Sequence, residues 1–229
     1  MDFFEIATTG DAVDFGDLQT AVYSNGGCGN NIRGLSGGGN SGSGTNVIEF
    51  VTIASTGDGT NFGDLTVARR SIASGIASPT RGMWHGGTDE SSNVRKIIDF
   101  VTIPTFGDAI DFGELITQRN SHSGCSNSTR GLIVSGQDPS NLNSIEFITI
   151  ASEGNAQDFG DISTNGRDYQ GSCASATRGV NAGGQTPSKQ NVIEFVTIAT
   201  TGNAQDFGDL TQKRRFLQGC SDVHGGLAQ

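Results

Sequence analysis

Lysine is scarce in this chain, with three residues against eleven arginines. That imbalance favours planar arginine roles, with the guanidinium held by fixed hydrogen bonds, over diffuse solubilising charge. Long apolar runs are missing too. None approaches the ~18 residues that a membrane-crossing helix needs. Met1–Ile6 has neither a basic region nor an extended apolar stretch, so no signal peptide is expected. Hydrophobic residues reach only 34%, low for a helical globule, while glycine contributes 35 residues. Positive charge is in deficit. A net charge of −10 and a pI near 4.6 give a surface that repels phosphate backbones and anionic lipid. Nucleic acid and membrane insertion are therefore not expected among its partners.

What is present is one unit written five times. Asp/Asn-Phe-Gly-Asp/Glu recurs at Asp14–Asp17, Asn61–Asp64, Asp111–Glu114, Asp158–Asp161 and Asp206–Asp209, its phenylalanines spaced 47, 50, 47 and 48 residues apart. A fixed period in the forties with strand-like content marks a repeat architecture. In the second copy, Val47–Ala54 is rich in β-branched and aromatic residues without simple alternation, which predicts a strand buried on both faces. A turn cluster follows, then short strands over Phe62–Leu65, Arg69–Ala77 and Arg81–His85, the last closed by Gly86-Gly87.

Four short strands per repeat and no helical periodicity predict an all-β fold, a five-bladed β-propeller of four-stranded blades. The third strand is crowded with Ser, Ala and Gly, as a strand lining a narrow axis would be. The blades are expected over about 20–66, 67–116, 117–163 and 164–211, with 212–229 completed by 1–19 in a single domain. Pairing N-terminal outer strands (Asp2-Phe3-Phe4) with C-terminal inner strands (Gly226-Leu227-Ala228) would close the ring without exposed edges.

Gly86-Gly87, Ile98-Asp99-Phe100, Phe62-Gly63-Asp64 and Leu65-Thr-Val-Ala-Arg69 together resemble a divergent kelch repeat, with Phe where kelch units usually carry Trp. The copies are also similar to repeats of bacteriophage tail-associated proteins. The resemblance implies a non-enzymatic module of a phage virion, tail- or capsid-associated, that engages a host-surface glycan or a neighbouring virion protein. A soluble propeller lectin and a purely structural scaffold are the alternatives.

Each copy has a carboxylate on its long strand: Asp2, Glu49, Asp99, Glu146 and Glu194. Four have an arginine on the strand leading to the double glycine: Arg33, Arg81, Arg130 and Arg178. A carboxylate among Val, Ile and Phe needs a partner, so structural ion pairs between these sets are expected. In the fifth copy Gly225 occupies the arginine slot, leaving Asp2 to solvent, a backbone donor or His224. A second cationic set precedes the small-residue strand. In kelch-like propellers this connection shares a face with the loop after the double glycine. That places a candidate ligand site at Arg70, Arg119, Arg167 and Arg215, together with Trp84, which breaks the repeat.

The oxygen-rich turns, such as Asp11, Asp14 and Asp17, lack the spacing of an EF-hand and read as Asx-turns. Cys28, Cys125, Cys173 and Cys220 recur at one repeat position. This suits small buried thiols rather than a disulfide framework, with four axial thiolates on a metal as the alternative. His85, His122 and His224 occupy unrelated repeat positions. No Ser-x-Asp-x-Gly-x-Thr-Trp box is present, and Tyr23 and Tyr169 join no Cys/His set. No enzyme, cofactor or metal is expected.

Overall fold

The computed structural model describes residues 1–5, 7–72, 76–163 and 165–221. Among these the chain is all-β and without helix, in five antiparallel sheets. The first sheet orders Gly26–Gly29, Arg33–Gly37, Thr45–Thr52 and Thr60–Arg70, with Thr88–Asp89 added at the far end. The second contains Ile76–Ala77, Arg81–His85, Ile97–Thr102 and Ile110–Glu114; the third contains Ser123–Ser126, Arg130–Val134, Ser144–Thr149 and Gln157–Asp161. The fourth runs Gly171–Ala174, Arg178–Ala182, Ser188–Thr197 and Gln205–Arg214, with Gln185–Thr186 folded back on its third strand. Asp2–Phe3 pairs with Val13–Asp14 as a two-stranded fifth sheet. Each four-stranded path is a meander, the topology of a propeller-like fold.

The core lies between successive sheets. One cluster (Leu35, Ile48, Phe62, Trp84, Val101, Ile103) joins the first and second. Another (Met83, Phe100, Phe112, Ile133, Ile148) joins the second and third, and a third (Leu132, Phe147, Phe159, Val196, Ile198) joins the third and fourth. Long strands such as Ile97–Thr102 and Ser144–Thr149 are therefore covered on both faces, as their non-alternating apolar residues predict.

The Phe-Gly motif is a β-bulge. Ile48 faces Gly63 and Glu49 faces Asn61, so Phe62 is the extra residue; the register shifts at the same place beside Asp99, Glu146 and Glu194. The bulged ring turns inward, edge-on to the phenylalanine of the long strand. Centroids are 5.8 Å apart for Phe3–Phe15, 6.0 Å for Phe50–Phe62, 5.7 Å for Phe100–Phe112 and 6.0 Å for Phe147–Phe159. Gly63 sits at φ 155°, and a Cβ there would lie 2.3 Å from the Gly107 carbonyl oxygen of the next copy, so only glycine fits. Neighbouring turns are also tied by side chains. Asp58 accepts from Asp17 N–H at 2.9 Å, Asp108 from Asp64 at 3.0 Å, and Asn155 from Glu114 at 3.0 Å. These acidic and amide turns thus fasten one copy to the next.

The strand expected at Arg69–Ala77 begins later. Thr60–Arg70 is one continuous outer strand, held by Thr45 and Asp89 opposite Arg69, and the chain turns only at Ser71. Phe62, Phe112 and Phe159 are 2–3% exposed, but Phe207 is 56% exposed. Arg214 and Asp2, which occupy the positions of the next arginine–carboxylate pair, are exposed as well. The N-terminal pair meets the first sheet as each copy meets the next, with Gly57 N–H donating to Phe15 O at 2.7 Å, the counterpart of Gly107 N–H to Phe62 O at 3.1 Å. Of the C-terminal part of the expected closing blade, residues 222–229, with His224, Gly225 and Gly226–Ala228, lie outside the described residues.

Candidate functional site: a cavity mouth lined by all five copies

Between its outer and inner strands each copy passes through one residue with left-handed backbone. These are Ser24 (φ 56°), Ser71 (55°), Ser121 (53°), Tyr169 (54°) and Phe216 (58°). None is glycine, and such a conformation costs about 1–3 kcal/mol per residue. The turn aims backbone groups from copy to copy. Ser121 N–H donates to Ser71 O at 3.4 Å, Tyr169 N–H to Ser121 O at 2.9 Å, and Phe216 N–H to Tyr169 O at 2.9 Å. These links are part of the return on the strain.

The five residues and those that follow them line a single cavity of about 120 Å³. Its wall combines hydroxyls (Ser24, Ser71, Ser121), amides (Asn25, Gln170, Gln218) and one aromatic face. That face is the pair Tyr169–Phe216, centroids 4.3 Å apart, with the Arg215 guanidinium 4.9 Å above the Phe216 ring. Arg215 also donates to Gln185 Oε1. Gln170 is buried and donates to Val134 O at 3.1 Å, yet its Oε1 has no hydrogen-bond partner among the described residues. The variable loops border this mouth: Asn40 bridges Tyr23, Gln137 bridges Asn120, and Gln185 bridges Asp168, each just before a left-handed residue.

His122 lines the cavity and His85 lies behind it, Nδ1 of His85 lying 2.7 Å from Nε2 of His122. Burial, and then the nearby arginines, push His85 down to about 3. Burial also holds His122 well below its ordinary value. Both rings are therefore neutral, one donating to the other.

Deeper along the inner strands lies a second cavity of about 230 Å³, bordered by Cys28, Cys125, Cys173 and Cys220. The four thiols are not bonded to one another. A Cβ on Gly82 would come 2.8 Å from Cys28 Sγ, and one on Gly179 3.1 Å from Cys125 Sγ, so the sulfurs pack on the Arg-Gly glycines of the following copy. Burial pushes the Cys28 and Cys125 thiols up to about 12, which keeps them protonated. Among the described residues no group of three or more His, Cys, Asp or Glu side chains is placed to hold a metal.

The arginine assignments are corrected in both sets. Arg69 pairs with Asp99 at 2.5 Å, and Arg119 and Arg167 pair with Glu146 and Glu194, every partner buried. Arg119 also donates to Ser135 O at 2.9 Å and Ser144 O at 3.3 Å. It is thus a clamp between two strands, and neither it nor Arg167 reaches the mouth. Arg33, Arg81, Arg130 and Arg178 are not the partners of the long-strand carboxylates. Three of them donate to backbone carbonyls of the next copy, at Ile103 (2.6 Å), Ile150 (2.8 Å) and Ile198 (2.8 Å). All four lie over the phenylalanine of the long strand, at 5.2, 4.5, 4.4 and 4.5 Å for Phe50, Phe100, Phe147 and Phe195.

Register explains the error. Asp99 faces Trp84 while Arg81 faces Thr102, three residues further along, or ~10 Å. Trp84 is fully buried, its indole N–H donating to Gly26 O at 2.9 Å, and so is a packing residue. Of the candidate ligand residues only Arg70 and Arg215 are solvent-accessible. Arg70 reaches Ser92 Oγ at 3.4 Å. The left-handed residues escaped sequence reasoning because Ser, Tyr and Phe carry no signal for that conformation.

No protein-family model matches the chain, and no curated protein sequence matches it. No helix among the described residues is long and apolar enough to cross a membrane.

Proposed function

We propose that the chain is a five-bladed β-propeller that acts as a non-enzymatic binding module, taking a polyhydroxylated ligand of the host-surface glycan type at its axial mouth. The observation that carries this reading is the cavity lined by one left-handed residue and its successor from every copy. Five copies converging on one cavity support the ring. The closing blade would cover Phe207 and complete the outer half of the seam. Hydroxyl and amide groups beside the Tyr169–Phe216 face suit a sugar ring, which offers hydroxyls at its edge and C–H bonds on its face. The resemblance of the repeats to kelch units and to phage tail repeats supports placing the module on a virion.

A glycan array tests the binding. The reading expects a defined set of glycans bound by the wild type and lost in Gln170→Ala and Tyr169→Ala. An unresponsive array, or binding that survives both substitutions, overturns it. Mass spectrometry of purified virions tests the location, and particles lacking the chain would remove the virion from the reading.

A further inference from the structure

The arginine seat recurs in the first copy without an arginine. Val22 stands where Arg69, Arg119 and Arg167 stand in the next three. The rest of the seat is intact. Glu49 is buried and accepts from Gln19 N–H at 2.8 Å and Thr20 N–H at 3.3 Å. Glu146 is held likewise by Ile116 N–H at 2.9 Å and Thr117 N–H at 3.2 Å, and in addition by Arg119. Gly38 N–H donates to Val47 O at 3.0 Å, as Gly86 N–H does to Ile97 O at 3.0 Å. Gly86 and Ile97 are the residues whose carbonyls accept from Arg69, at 2.6 and 3.2 Å.

Where the guanidinium would lie, the first copy has a cavity of about 10 Å³ bordered by Val22, Gly38, Val47 and Glu49. That is room for one water-sized occupant. A buried carboxylate with no cation is costly, and two backbone donors offset only part of that cost. Oxygen groups around a single negative charge suit a hard monovalent ion.

We propose that this seat binds a small monovalent cation of the size of potassium or ammonium, which takes the place of the arginine. The proposal does not depend on the glycan reading.

Thermal melting tests it in potassium, ammonium, sodium and tetramethylammonium chlorides at equal ionic strength, the last ion being too large to enter. The wild type should melt about 3–5 °C higher in potassium or ammonium than in tetramethylammonium chloride, at roughly ten times the dissociation constant. Glu49→Gln should abolish that difference. Val22→Arg should abolish it as well, melting alike in every salt. Equal melting of the wild type in all four salts, or a difference that persists in Glu49→Gln, would overturn the proposal.

Discussion

At Arg119 and at Ser121, two residues apart, the copies follow opposite rules. The arginine seat keeps its side chains in three copies, with Arg69, Arg119 and Arg167 each buried against a carboxylate. The left-handed turn keeps its backbone, within a few degrees of φ 55°, while its side chain changes from Ser to Tyr to Phe. Where the side chain repeats, the residue holds strand to strand. Where only the backbone repeats, the side chain is released to face the cavity. A rigid frame that presents variable groups around one opening is how binding surfaces are commonly built.

The sharpest break in the frame is Arg119→Met, which keeps most of the stem and strands Glu146 without its cation. It should cost about 3–5 kcal/mol in urea denaturation. Arg130→Met removes only a carbonyl contact and an aromatic contact, and should cost roughly 1–2 kcal/mol. Equal losses would mean that the two arginine sets had been wrongly separated.

Acid attacks the junction between frame and mouth. The unfolded chain protonates His85 near its ordinary 6.5, whereas the folded chain holds it down at about 3. Below pH 6.5 the unfolded state therefore binds more protons, and stability falls with falling pH until about 3. By pH 5 the loss from His85 is about 2 kcal/mol, and His122 acts in the same direction. Denaturation midpoints at pH 7, 6 and 5 measure it. A flat profile across that window would contradict a buried neutral pair.

A smaller effect separates the first copy from the third. In tetramethylammonium chloride, where the first seat holds no cation, Glu49→Gln removes a charge that has no positive partner, and should cost less than about 1 kcal/mol, against roughly 3 kcal/mol for Glu146→Gln. Matching costs in urea denaturation would erase the distinction between the two seats.

Much of the frame could be read directly from residue types. The Phe-Gly period marked the repeat and its short strand, though not the bulge; the non-alternating Val, Ile and Phe residues marked strands covered on both faces, and the repeated cysteine position marked unpaired thiols. The arginine pairing was not legible, because two arginines per copy are equally plausible partners until strand register puts Arg81 opposite Thr102. Trp84 looked distinctive as the only tryptophan, yet it is buried against Gly37, where a Cβ would meet its ring at 2.6 Å. The mouth was the least legible part. Asn120 and Asp168 suit a turn, but nothing in Ser121 or Tyr169 marks the left-handed residue, whose backbone is held by the copy-to-copy hydrogen bonds.

Under the proposed function the left-handed side chains serve a ligand at the expense of the fold. Phe216→Gly tests this in one thermal-shift titration with the strongest array glycan. Glycine relieves the backbone strain and gives back part of that gain as unfolded-state entropy and lost contact with Tyr169. The variant should therefore melt within about 2 °C of the unliganded wild type, or above it, and glycan should no longer raise its melting temperature. A variant that melts many degrees lower and still rises with glycan as the wild type does would make Phe216 part of the frame and contradict the account.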